Sequence, residues 1–399
     1  LAGVPSGPGR RLCFAAGRQV KYLRRRQWPP SISKTKRTLR ANRLDPKRCR
    51  AHPRRTVSHE VFMAQTLDDI ISPVGEAFRA FREQLHQATL SEQPFMRPVT
   101  RDLLHSGGKQ MRPLLTLLVA ALHGAETRPQ VQAGAVLIEM IHWSTLVHDD
   151  VIDEAYVRRG QWTPGTLLRS KSAVLIGDYL FSKGLARAAR EGAFGAIRSA
   201  TRAIELIVDG ELMQMEHARR MDNTEEIYTE IIRLKTAVLI ASAAECGALP
   251  VFDNDPEARP VKEMYRFGER LGMAFQIKDD LLDFGFEAVG SSGNSSKTGK
   301  MLCNDLREGK MTLPLIRAVA EVSPAERREV AKHLRRAATR PASVEWLRDF
   351  VRQSDGPDYA AKRMNTYLSE ALAILDTYPT SPVRLALAAF ANYVTGRSF

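Results

Sequence analysis

The 399-residue chain is poor in what several large protein classes require. It has four cysteines, Cys13, Cys49, Cys246 and Cys303, and none are spaced as Cys-x-x-Cys. That excludes a disulfide framework and a cysteine-bound zinc site, and it fits a reducing compartment. The longest nearly unbroken apolar run, Leu114–Leu122, is far short of the ~20 residues a membrane-spanning helix needs, so no transmembrane segment is expected. Alternating β-branched segments bounded by Asn-Gly turns are missing. With 26 Gly and 21 Pro the chain is neither collagenous nor wholly disordered, and a hydrophobic fraction of 44% is ample for a large core.

Most of the chain also lacks an excess of charge. The formal net charge is +14, but residues 1–60 hold 17 Lys or Arg against Asp45 and Glu60 alone. The remainder carries 42 basic and 43 acidic residues. A nucleic-acid-binding enzyme more usually carries basic patches on its folded domain, so no nucleic-acid partner is expected. Residues 1–62 contain Arg24-Arg25-Arg26 and Pro29-Pro30 without sustained hydrophobic periodicity, and are expected to be a disordered leader. Three readings of it stay open: an Arg-rich, acid-poor transit peptide, a nucleic-acid-binding arm, or sequence upstream of a start at Met63. It has no apolar stretch of the kind a secretory signal carries. The expected location is the cytoplasm, or an organelle if the leader is a transit peptide.

What is present reads as helix after helix. Ile70, Val74, Phe78, Phe81 and Leu85 recur at the spacing of one helical face. Leu114–Leu122 and Val131–Val147 look like buried helices, and Ala173–Ala189, Ala203–Met215, Ile227–Cys246 and Met264–Phe284 continue the pattern. Gly107-Gly108, Gly160–Gly165, Pro250–Pro260 and Gly290–Gly299 supply loops. The expected architecture is all-α: one large single-domain helical bundle over residues 63–399, with Ser291–Lys300 as a loop.

One internal echo stands out. Asp149-Asp150-Val151-Ile152-Asp153 is matched 130 residues later by Asp279-Asp280-Leu281-Leu282-Asp283. Both are Asp-Asp-x-x-Asp at the end of an apolar helical run. Helical positions i and i+4 lie about 40° apart, so each motif crowds carboxylates onto one face, where they repel. A single copy would fit an acidic helix end in water; two copies flanked by apolar residues point to a site. Hard cations such as Mg²⁺ take carboxylate oxygens, keep some waters and bridge to phosphate oxygens. The basic complement follows in motifs: Lys109 and Arg112 in Gly107–Pro113, Arg158-Arg159-Gly160 one to two helical turns after the first acidic motif, Lys235-Thr236 within a helix, and Lys300 and Lys310 after the second. Arg forks match phosphate oxygens and Lys supplies a point charge. Each alone reads as a solvated surface charge. Together with paired acidic motifs they describe two diphosphate sites.

In this order the motifs resemble the trans-isoprenyl diphosphate synthases, the polyprenyl synthetase family, from about Met63 to the C-terminus. Gly107–Pro113, Asp149–Asp153 with Arg158-Arg159-Gly160, Gly177-Asp178, Lys235-Thr236, Phe275-Gln276 before Asp279–Asp283, and Asp305–Leu315 all match. The resemblance implies an all-α fold around a deep cavity, usually as a homodimer, and a Mg²⁺-dependent condensation of isopentenyl diphosphate with an allylic diphosphate. It implies Asp149, Asp153 and Asp279 as metal ligands, with Asp150, Asp280 and Asp283 supporting them directly or through water. Arg158, Lys235, Thr236, Gln276 and Lys300 would hold the allylic diphosphate. Lys109, Arg112, His142 and Arg159 would hold isopentenyl diphosphate, with Lys310 a further substrate-binding residue. His142, seven residues before Asp149, would point into the same cavity.

The departures are Gln110 and Met111 in the first glycine motif, Trp143 beside His142, Met301 where Pro is common, and Cys303 where Gly is usual. The last puts the loop before Asp305 in question. Short-product members tend to carry an aromatic residue five before the first motif. Here it is Ser144, and Ile141 one turn deeper also leaves space, so a product of geranylgeranyl length or longer is expected. The alternatives are a class I terpene cyclase, which would have no use for the second acidic motif, and a non-catalytic partner subunit of a heteromeric synthase.

Overall fold

The computed structural model describes residues 66–91, 96–106, 108–152, 157–158, 161–162, 170–286 and 302–396. The leader, Asp153, Arg159, Lys300, Met301 and the 291–300 loop lie outside the described residues, and Arg158 is described as backbone only.

Helix α1 (Leu67–Ile71) opens from a capping box in which Thr66 and Asp69 satisfy one another's N–H groups at 2.8 and 3.2 Å. A 3₁₀ turn at Ser72–Val74 follows, then α2 (Gly75–Thr89). All five residues of the first apolar pattern are buried, but the helix is not continuous. Pro73 has no N–H to give a preceding carbonyl, and the chain tightens there. Next come α3 (Met96–Ser106), α4 (Met111–Leu122) and α5 (Pro129–Ile152).

After α5 a short ribbon interrupts the expected all-helical pattern. Val157–Arg158 (β1) pairs antiparallel with Gln161–Trp162 (β2), so Arg158 stands on an extended ribbon. Val and Trp suit an extended chain better than a helix.

Then follow α6 (Ser170–Arg190), α7 (Phe194–Arg220) and α8 (Glu225–Ile232). A π-turn at Arg233–Ala237 leads into α9 (Val238–Ala248). Helix α10 (Arg259–Asp283) ends on the second acidic motif. The C-terminal part comprises α11 (Asn304–Arg307), α12 (Leu313–Ala320), α13 (Pro324–Arg336), α14 (Pro341–Arg352), α15 (Gly356–Leu375) and α16 (Pro382–Thr395).

Helix α5 is buried around nearly its whole circumference from Val131 to Ile141, as a central helix must be. It packs chiefly on α6, while α9 packs on α4, α7 and α10, and α10 on α15. The stretch Glu225–Val251 is long and apolar enough by composition to cross a membrane, yet 78% of its most apolar window is buried inside the bundle. It is a core rod.

Two close crossings position the site. A Cβ on Gly272 would lie 2.5 Å from the Cα of Ala237, and one on Gly268 would lie 2.7 Å from that of Ala241. Only glycine lets α10 come this near to the π-turn and α9. On the other side of the bundle, a Cβ on Gly177 would fall 2.1 Å from His148 Nε2. The imidazole occupies the place of that missing side chain.

Candidate active site

The second acidic motif is wired into its surroundings. The approach of α10 to the π-turn brings Thr236 beside Gln276, and the Thr236 hydroxyl donates to Gln276 Oε1 at 2.7 Å. The amide of Gln276 donates to Asp280 at 2.8 Å, one helical turn on. The Tyr228 hydroxyl, from α8, donates to the other Asp280 oxygen at 2.6 Å. Asp283 accepts the backbone N–H groups of Asn304 and Asp305 at 3.0 and 3.1 Å, one on each carboxylate oxygen. It therefore fastens α11 to the end of α10.

Charge accumulates here. Burial and then the neighbouring Asp305 raise the Asp280 carboxyl well above its ordinary value. Burial and then Asp283 raise Asp305 in turn, and Lys310 and Lys235 act the other way. Burial and then Asp280 push the Tyr228 phenol up, so it remains a donor. Lys235 pairs with Glu211 of α7 at 2.6 Å, and Lys310 pairs with Glu308.

Asp280, Asp305, Lys235, Lys310, Thr236 and Gln276 share the wall of a cavity of about 120 Å³. Its other lining includes Tyr228, Ile231, Ile232 and Met311, which supply apolar surface. Carboxylates and ammonium groups facing one small cavity can hold an anion and the cations that neutralise it.

The first motif has a different setting. His148 Nε2 lies 3.1 Å from the Val174 carbonyl and 3.6 Å from Asp178. The Ser144 hydroxyl donates to the Gly177 carbonyl at 2.9 Å. These contacts lock the end of α5 onto α6 and leave Asp149 half-buried and Asp150 buried. Ser144 thus packs against α6, while Ile141 and Trp143 are buried in the core.

Lys109 donates to the Tyr393 hydroxyl at 2.6 Å and sits 4.9 Å from the centre of that ring, which ties the first glycine motif to α16. Gln110 takes a left-handed backbone (φ 52°) and its side chain accepts from Arg82 at 2.9 Å. Lys109, Arg112, His142, Asp149 and Asp150 do not line the cavity beside Asp280.

Among the described residues no three His, Cys, Asp or Glu side chains converge closely enough to hold an ion by themselves. The donor set still fits Mg²⁺, whose coordination is normally completed by water and phosphate oxygens rather than by an all-protein cage.

Three features were not read from the sequence. Tyr228 and Glu211 are single polar residues in amphipathic helices, and only tertiary packing marks them. The π-turn has no residue signature, although such turns recur at functional sites. Cys303 did carry a signal: it holds φ 60°, the left-handed conformation for which glycine is the usual residue.

A model of the polyprenyl synthetase family matches residues 93–351. The chain is 33% identical over 319 residues to an all-trans-nonaprenyl-diphosphate synthase (geranyl-diphosphate specific) of Rhodobacter capsulatus, covering 80% of this chain and 94% of that one. It is 33% identical to heptaprenyl diphosphate synthase component 2 of Geobacillus stearothermophilus, with 84% and 99% covered. A polyprenyl synthase from Caulobacter crescentus, solved with calcium and isoprenyl diphosphate, superposes with a TM-score of 0.76 at 29% identity, covering 84% of this chain and 99% of that one.

Proposed function

The chain belongs to the polyprenyl synthetase family and is a trans-prenyltransferase, and from that premise we propose how its residues divide the work of joining isopentenyl diphosphate to an allylic diphosphate. The observation that carries the reading is the cavity in which Asp280, Asp305, Lys235 and Lys310 meet beside the Thr236–Gln276 pair.

Asp149, Asp153 and Asp279 would hold Mg²⁺, with Asp150 and Asp280, both buried, supporting them. The calcium and isoprenyl diphosphate of the Caulobacter relative support a divalent cation beside a diphosphate. When bound, Mg²⁺ neutralises the diphosphate and weakens its bond to the allylic carbon. Asp283, with both oxygens on backbone N–H groups, serves as the anchor of the 303–310 segment. Lys235, Lys310, Lys300 and Arg158 meet the allylic diphosphate. Lys109, Arg112, His142 and Arg159 meet isopentenyl diphosphate.

The C–O bond of the allylic substrate breaks with its electron pair leaving on diphosphate. The double bond of isopentenyl diphosphate attacks the cation, and the departing diphosphate takes the proton. The side-chain oxygens of Thr236 and Gln276 stabilise the cation. Apolar walls keep out water that would quench it.

The product is geranylgeranyl or longer. Small Ser144 and the nonaprenyl and heptaprenyl relatives support a long one. We propose a homodimer built on α6 and α7. Val208, Leu212 and Met215 form one helical stripe on α7 at 51, 60 and 58% exposure, and Val174 and Leu175 of α6 are exposed as well. The proposed location is the cytoplasm.

The test is incubation with Mg²⁺, farnesyl diphosphate and labelled isopentenyl diphosphate, with products resolved by length. A discrete long product that needs both substrates is expected. Turnover of farnesyl diphosphate alone would make the enzyme a cyclase. Ser144→Phe is expected to shorten the product, and an unchanged length would move the floor of the cavity elsewhere.

A further inference from the structure

Outside residues 1–60 the chain has almost no net charge, yet residues 324–340 carry six Lys or Arg against two Glu. The structure concentrates that charge on one face. Arg328, Lys332, Arg335 and Arg336 recur at i, i+4, i+7 and i+8 along α13, and all four are exposed. Diametrically opposite lie Val330, Leu334 and Ala337, buried in one cluster with Val344, Leu347 and Val351 of α14. The helix is therefore fixed in rotation, with its basic stripe turned to solvent. It is also well started: Ser323 and Glu326 form a reciprocal capping box.

Much of the charge is not consumed internally. Lys332 lies 2.8 Å from Glu329, but Arg328, Arg336 and Arg340 make no ion pair among the described residues. Beside the stripe, the rings of His333, Trp346 and Phe350 stack in series with centroids 4.2 and 5.5 Å apart, each only partly buried. Beneath it, α11 packs on both α13 and α14, and α11 carries Asp305.

We propose that this face of α13 is a docking surface for a membrane bearing anionic lipid. A row of exposed cations meets headgroup phosphates without needing a pocket, and partly buried aromatic rings suit the headgroup depth of a bilayer. A nucleic acid also presents phosphates to such a row, and it is distinguished by the test below. The proposed product gives the docking a use, since a polyprenyl diphosphate leaves water for a bilayer. The surface itself stands on its own residues.

The test is sedimentation of the full chain with vesicles of phosphatidylcholine, alone or mixed with phosphatidylglycerol. The leader is basic too, so the comparison is between two triple variants of equal charge change. R328E/K332E/R336E is expected to weaken binding to the mixed vesicles about a hundredfold, and the scattered control R79E/R190E/K362E far less. R328Q/K332Q/R336Q, gentler on the helix, should show the same direction and an unchanged melting curve. Prenyl transfer with short soluble primers should be unaltered in all three. Equal weakening by the stripe and control variants would overturn the proposal, as would indifference to phosphatidylglycerol. Tighter stripe-dependent binding to an oligonucleotide at matched phosphate concentration would overturn it in favour of a nucleic acid. Failure of prenyl transfer by the unmodified chain would strike at the reaction and leave the vesicle result standing.

Discussion

Asp150 and Asp280 hold the same place in two copies of one five-residue pattern, and they are 4% and 3% exposed. Two residues further on, the copies part. Ile152 is 60% exposed at the end of α5, whereas its counterpart Leu282 is partly buried, and Phe284, just past the second motif, is fully buried in one cluster with Leu306 and Leu315. The second motif is gripped from every side by Tyr228, Gln276 and the N–H groups of α11. The first is steadied from behind, where His148 lies over Gly177. The lesson is that one sequence pattern can be set by two kinds of support, side chains and N–H groups from other helices at the second copy and the packing of α5 on α6 behind the first.

Several changes would break or sharpen that contrast. The largest effect should come from Asp149→Ala and Asp279→Ala, each lowering kcat by about a thousandfold, as loss of a group that acts on developing charge does. Neither should shift the melting temperature of metal-free protein much, and steady-state kinetics with calorimetry checks both. Gly272→Val drives a side chain into Ala237, so it should cost about 3 kcal/mol of stability and separate Thr236 from Gln276. Denaturant unfolding and kcat should fall together.

Asp283→Ala leaves two N–H groups without acceptors, at about 1–3 kcal/mol. It should expose the 302–310 segment to limited proteolysis, which Asp150→Ala should not do. Tyr228→Phe removes one donor from Asp280 and should lower kcat about tenfold while leaving the KM for isopentenyl diphosphate unchanged.

The smallest effect concerns pH. In protein freed of divalent cations, Asp280 and Asp305 bind protons more tightly folded than unfolded. Their contribution to stability is therefore full below the ordinary carboxylate value near ~4 and falls as pH rises through about 6 for Asp305 and about 8 for Asp280. Melting temperatures of metal-free protein should decline across that window. Asp280→Asn should flatten the decline, and added Mg²⁺ should reverse it.

Much of this was legible in the sequence because it rests on spacing. The apolar periodicity of α2, α5 and α10 follows from which face is buried, and each acidic motif ends its helix where the apolar run stops. Lys235, Thr236 and Gln276 could be named together, with Asp280 and Lys310 in neighbouring roles, and all five share one cavity. What could not be read depends on partners distant in the chain. Nothing local says that Tyr228 meets a carboxylate 52 residues away, or that Lys109 reaches Tyr393, 284 residues on. The extended form of Arg158 was missed because an Arg-rich segment after a helix carries no periodicity of its own.

The π-turn at Arg233–Ala237 has a consequence for how the chain tolerates change in length. Such a turn accommodates one residue more than an α-turn. The rod from Glu225 to Ala248 is thus two helices joined through one widened turn, with Tyr228 aimed by the first and the seam at Ala237 and Ala241 set at and beyond the joint. Deleting a single residue there would close the widened turn into an ordinary one and leave the two halves at nearly the same phase. The same deletion within α9 would instead rotate everything beyond it by about 100° and swing its buried face away from Gly268. The turn is the slack in this rod, and natural variants of different length should differ there before they differ in α9.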